Sequence, residues 1–88
     1  RELPITCFNI DKEFIDGVPG DHKDEAIVRS VVALASGLGI MTLAEGVENE
    51  EQFDFARSAG VDLVQGFYAG HPIPSEEIPQ YLIGLRRG

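Results

Sequence analysis

Short apolar runs alternate along the chain with longer amphipathic stretches. Ile5 to Ile10 (ITCFNI) is rich in β-branched and aromatic residues and is closed by the charge of Asp11, as a buried strand is. After a turn-rich stretch from Asp16 to Asp21 (DGVPGD), Asp21 can cap a helix in which Ile27, Val31, Leu34 and Leu38 recur at helical spacing. Gly37 and Gly39 supply its stop. The second run, Ile40 to Ala44 (IMTLA), ends in Glu45, and Met41 within it reads as a strand core residue. Asn49, with Gln52 three residues on, is patterned as a cap opening a second helix that stops at Gly60. Leu63 and Val64 make a third run before Gln65 and Gly66. A loop to Pro74 then leads into Ser75 and a last helix through about Arg86, where Pro79 fits because it lies near the first turn.

Strands this short and this uniformly apolar have no face patterned for water, so the pattern predicts a parallel sheet in an α/β fold. The intervals from Ile10 to Ala44 and from Ala44 to Gln65 bracket the roughly 31 residues per unit of an eight-unit barrel of about 250 residues. The expected architecture is three consecutive βα units of a TIM-like (β/α)8 barrel, incomplete as given, since three units cannot close. The chain opens on Arg1 and runs almost directly into a strand, which suggests excision from something longer. Anchors, sensor domains or a cyclase domain could lie outside it.

Composition narrows the choice of partner. Seven basic residues against fifteen acidic ones give a net charge of -8, which removes the electrostatic attraction that dominates binding to nucleic-acid polymers. A small anionic ligand fits if divalent cations bridge it to carboxylates. Cys7 is the only cysteine, so no intrachain disulfide forms, in keeping with a reducing cytoplasm; it reads as a small strand residue. Apolar residues are 43% and charged residues 25%, the balance of a folded domain. No apolar run approaches the roughly 20 residues of a membrane span, and the N-terminus lacks a signal-peptide pattern.

Polar residues gather at the predicted C-terminal ends of the strands: Asn9 and Asp11 on the first, Glu45 and Glu48 on the second, Gln65 on the third. That edge is where parallel α/β proteins build their sites. Strand ends also meet solvent and helix caps, and Glu48 has the plainer role of a carboxylate favoured by the start of the following helix. Three motif blocks make the pattern specific. NIDKEFI at Asn9 to Ile15, LAEGVENEEQ at Leu43 to Gln52 and VQGFYAGHPIP at Val64 to Pro74 resemble, in order and spacing, the last three blocks of the EAL domain family. The acidic insert before AIVRSVVALASGLGI and the FARSAGVD link also resemble that family, so the likeness spans nearly the whole of residues 1–88 as the C-terminal part of such a domain.

The resemblance implies a barrel with two divalent cations, magnesium or manganese, at its C-terminal mouth, cleaving cyclic di-GMP to a linear dinucleotide. In a two-cation site one ion polarises the phosphoryl group and helps form hydroxide, and both stabilise the attacking and leaving oxygens. By the same resemblance Glu45 matches the carboxylate beside the catalytic water or metal, and Gln65 a polar residue that supports the site, with Asp11 and Phe67 as further supporting positions. The family's EAL signature, its following Asn and Glu ligands and its paired aspartates would lie upstream. Where the family usually has Lys-Ile-Asp, this chain has Asn9-Ile10-Asp11, and an amide cannot replace the charge of a lysine that helps orient the attacking water. Either activity is impaired, or another cation compensates.

The alternative is a degenerate domain that receives cyclic di-GMP or a protein partner without hydrolysing it. Three strands leave two unpaired edges, so the expected macromolecular contacts are self-association or the upstream part of the barrel. His22 and His71 have no second His or Cys at ligand spacing. Phe67 and Tyr68 could stack on a guanine, though core packing explains them more simply.

Overall fold

Parallel pairing satisfies strands that are apolar throughout, because helices can then cover the sheet. The structure, a computed structural model, describes residues 7–66 and 69–77. Its strands Cys7–Ile10 (β1), Met41–Val47 (β2) and Leu63–Gly66 (β3) pair in parallel, β1 on β2 and β2 on β3. The helix His22–Leu38 (α2) makes the first crossover, after a single turn at Lys12–Ile15 (α1), and Glu50–Ala59 (α3) makes the second.

Ile10, Ala44 and Val64 form one in-register row, all buried, and they share a core with Ile15, Val28, Phe53, Ala56 and Val61. Because side chains alternate along a strand, Asn9, Leu43 and Leu63, the next row back, belong to the opposite face. Two cation–π contacts add to the packing: Arg29 lies 4.9 Å from the Phe55 ring centroid, joining α2 to α3, and Arg57 lies 5.6 Å from that of Phe53 within α3. At the N-terminal ends of the strands Asp62 Oδ2 accepts from the Thr42 backbone N–H at 2.9 Å, and the Thr42 hydroxyl accepts from the Asp62 N–H at 3.2 Å. This reciprocal pair satisfies a threonine that is almost fully buried.

The caps fall where the sequence places them. Asp21 Oδ1 accepts from Asp24 N–H at 3.0 Å, Asn49 Oδ1 accepts from Gln52 N–H at 2.8 Å, and left-handed Gly39 and Gly60 end α2 and α3. Gly37, expected at the stop, lies inside α2. Three expectations about apolar residues need correction. In α2 the buried residues are Val28 and Ala35, whereas Leu34 and Leu38 are 57% and 60% exposed. The run IVRSVVALASGL carries apolar residues on more than one helical stripe, and periodicity does not say which one meets the sheet. Met41 is 46% exposed rather than a core residue, since it stands at the first position of β2, at the sheet's end.

The stretch after β3 also differs. In place of a loop, Ala69–Pro74 (β4) returns antiparallel along β3, with Val64 opposite Ile73 and Gly66 opposite Ala69, giving the order β1-β2-β3-β4. A strand edge offers unpaired N–H and C=O groups that a returning chain satisfies, and Pro72 and Pro74 are tolerated because β4 is an edge strand. Ser75 ties the hairpin down, donating its N–H to the Asp62 carbonyl at 2.9 Å and its hydroxyl to the Val61 carbonyl. Phe67, Tyr68 and the helix expected up to Arg86, beyond the turn at Ser75, lie outside the described residues. No helix among the described residues is long and apolar enough to cross a membrane.

Two glycines make a contrast that stability measurements can read. A Cβ at Gly66 would stand 1.7 Å from the Val47 carbonyl oxygen, so β2 and β3 could not keep their spacing, whereas one at Gly37 would meet open space. Gly66→Ala is expected to destabilise the protein by about 1–3 kcal/mol or more through overpacking. Gly37→Ala should stabilise it by up to about 0.5–1 kcal/mol by relieving helix entropy. Denaturant midpoints of the two variants against the parent protein check both signs.

Candidate functional site

The C-terminal ends of β1, β2 and β3 bring together most of the residues singled out from sequence. Asn9 belongs to the face opposite α2 and α3, in the row with Leu43 and Leu63. Glu45 and Gln65 follow Ala44 and Val64, which are paired on the helix face, so they are the next side chains along on the face of Asn9. Asn9 is exposed, and Glu45 and Gln65 are half-buried. Gln65 Nε2 donates to the Gly70 carbonyl at 3.2 Å, which fixes it against the hairpin. The arrangement holds one carboxylate between two neutral amides at the end of a parallel sheet, a place where a carboxylate can take a proton or hold a cation.

Asp11 has a local task. Its Oδ1 accepts from the Glu13 N–H at 2.8 Å and caps α1, the turn that leads the chain away from β1. That turn carries Lys12, whose place in the site is not visible from sequence because one of its two partners, Glu48, is distant in the chain. Its Nζ lies 2.8 Å from Asp16 Oδ1 and 3.3 Å from Glu48 Oε2. Those carboxylates, Asp16 first and Glu48 second, hold the lysine pKa above its ordinary value. The Lys12 stem passes over Gly46, where an added Cβ would lie 2.4 Å from Lys12 Cγ, and Gly46 has a φ of +72°. Only glycine meets both demands readily.

Glu48 does not simply decorate the following helix. Its backbone N–H donates to Gln52 Oε1 at 2.7 Å while its carboxylate reaches Lys12, so the end of β2 is tied both to α3 and to α1. Among the described residues no group of three His, Cys, Asp or Glu side chains could hold a metal ion. His22 opens α2 and His71 lies on β4, both exposed. Cys7 is a free, half-buried thiol at the start of β1; burial, and then Asp62, push its pKa up, which makes it a poor nucleophile. Two hollows of about 380 and 400 Å³, sharing Met41, Gly60 and Asp62, open at the N-terminal ends of the strands, away from Glu45.

Comparison with known proteins gives these positions a context. The family model described as EAL domain matches residues 1–72. The bifunctional diguanylate cyclase/cyclic di-GMP phosphodiesterase MucR of Pseudomonas aeruginosa is 40% identical over 78 residues, 89% of this chain and 11% of its own length. A solved MucR phosphodiesterase in complex with c-di-GMP superposes with a TM-score of 0.71 at 42% identity, covering 84% of this chain and 30% of that one. BlrP1 of Klebsiella pneumoniae, solved with manganese and cyclic di-GMP, gives a TM-score of 0.70 at 34% identity over 80% of this chain and 18% of its own. The chain spans about a tenth of the length of the curated relatives it matches. Its mixed α/β sheet and these neighbours imply a TIM-barrel type of fold, and by sequence and structure alike the chain belongs to the EAL domain family.

Proposed function

We propose that residues 1–88 are the C-terminal three βα units of a TIM-like (β/α)8 barrel, and that the complete domain hydrolyses cyclic di-GMP to a linear dinucleotide in second-messenger signalling in the cytoplasm. Membership of a family whose named relatives include cyclic di-GMP phosphodiesterases supports the substrate. The observation that carries the chemistry is Glu45 at the C-terminal end of β2, on the face it shares with Asn9 and Gln65.

Water attacks one phosphorus, a P–O ester bond breaks, and the ring opens. Glu45 takes the proton of the attacking water, and the departing ester oxygen takes up a proton from solvent. Gln65, anchored to Gly70, lines the same face with a neutral amide. Divalent cations, magnesium or manganese, would supply charge stabilisation at the phosphate. The described residues of this chain do not compose such a site: Glu45 offers one carboxylate, whereas magnesium takes octahedral coordination with about six oxygen ligands. The remaining donors would come from the rest of the barrel, docked against the free edge of β1.

Asn9 favours a second reading, in which the domain binds cyclic di-GMP or a protein partner without turning the dinucleotide over, because an amide at the family's lysine position brings no charge to the attacking water.

Three outcomes test these readings. In the full-length protein with matched metal, Glu45→Gln is expected to lower kcat by about 10²–10⁴-fold while leaving affinity for the dinucleotide largely intact. Asn9→Lys should raise kcat about tenfold or more, by returning a cation to where negative charge develops. Turnover and equilibrium binding measured separately decide: a fully active Glu45→Gln would make Glu45 structural, and binding without turnover in the parent would favour the receptor. The 88-residue chain alone, assayed with magnesium or manganese, should show no hydrolysis.

A further inference from the structure

The sequence supplies the Glu45 carboxylate, but a carboxylate on a strand end works only if the strand end is held in place. β2 ends irregularly: its register against β3 shifts between Ala44 and Val47, and Gly46 turns with positive φ one residue after Glu45. Regular ladder bonds therefore do not by themselves fix the backbone on the C-terminal side of Glu45. What crosses that irregular stretch is Lys12, with its stem over Gly46 and its ammonium at Glu48. Asp16 holds the same ammonium at 2.8 Å, so the lysine is steered by two carboxylates. Gln52 holds the Glu48 backbone in turn.

We propose that Lys12 is a positioning residue for Glu45: its stem packs the Gly46 turn and its ammonium grips Glu48, so that residues 45–48 present the Glu45 carboxylate in one place. This rests on the reading of Glu45 as the group that takes the proton from water. Lys12 does not replace the family's lysine in chemistry, since its charge is engaged by Asp16 and Glu48. It acts through the geometry of the strand end. A misplacement of about 1 Å in a reacting group can cost up to about 10²-fold in rate, whereas an exposed ion pair contributes little to global stability. The loss should therefore appear in kcat and hardly in the thermal midpoint.

The test compares Lys12→Met, which keeps the stem and removes the charge, with Lys12→Arg, Glu48→Gln and the double variant Lys12→Met/Glu48→Gln in the full-length protein. Turnover of cyclic di-GMP is read as kcat and KM, and backbone amide exchange is read over residues 45–48. Lys12→Met and Glu48→Gln are each expected to lower kcat about tenfold with KM within about twofold and the thermal midpoint within about 3 °C. The double variant should be no worse than either single one, and Lys12→Arg should restore most of the rate. Exchange over 45–48 should rise in Lys12→Met. Unchanged kcat in Lys12→Met, or a raised KM with kcat intact, overturns the proposal. If Lys12→Met does not fold, the exposed Glu48→Gln variant carries the same test. A parent protein without turnover overturns the hydrolase reading instead; faster exchange over 45–48 in Lys12→Met then upholds the clamp, and unchanged exchange removes it.

Discussion

Burial of one face of the sheet is the constraint on which the rest of this structure depends. Ile10, Ala44 and Val64 line up across three strands and are covered by residues of α2 and α3. Each large apolar side chain buried there contributes roughly 1.5–3 kcal/mol, and a slip of one residue in any strand would turn its apolar set to the wrong face. Register is thereby fixed by the core. Once it is fixed, alternation turns Glu45, next after Ala44, and Gln65, next after Val64, toward the face of Asn9, and it is just beyond them that the ladder shifts register. The site is assembled by hydrophobic burial on the side where it is not.

The same core explains why the ends of the strands are unequal. At the N-terminal ends Thr42 and Asp62 exchange hydrogen bonds and Ser75 closes on Val61 and Asp62, so polar groups there are satisfied within the chain. At the C-terminal ends the β2 ladder shifts, Gly46 turns, and no side-chain hydrogen bond holds Asn9 or Glu45 among the described residues. Asn9 and Glu45, left without side-chain hydrogen-bond partners among the described residues, stand at the C-terminal end, the end where parallel α/β proteins carry their chemistry.

Much of this was open to reading from the sequence, for a physical reason in each case. Caps are local: Asp21 with Asp24, and Asn49 with Gln52, are read within one helical turn, and both formed. The parallel arrangement followed from apolar strands with no wet face. The buried stripe of α2 was not legible, because Val28 and Ala35 lie beside Leu34 and Leu38 on a broadly apolar helix and only the neighbouring sheet chooses between them. β4 was hidden for another reason. AGHPIP has no strand periodicity and two prolines, and it forms a strand because β3 offers it an edge. Of the site, Asn9, Glu45 and Gln65 were visible as polar residues at strand ends, while the link from Lys12 to Glu48 depends on the pairing of β1 with β2 and has no local signature.

That pairing also gives the motif blocks a mechanical meaning. NIDKEFI and LAEGVENEEQ lie far apart in the chain, yet Ile10 stands opposite Ala44, and the residues just beyond each run on to meet as Lys12 and Glu48. Gly46 is required between them because its positive φ favours glycine and the lysine stem fills the space a side chain would take. A change in either block is therefore felt in the other: a bulky residue at 46 displaces Lys12, and loss of Lys12 releases Glu48. Glu45, lying between the buried Ala44 and this turn, takes its position from both.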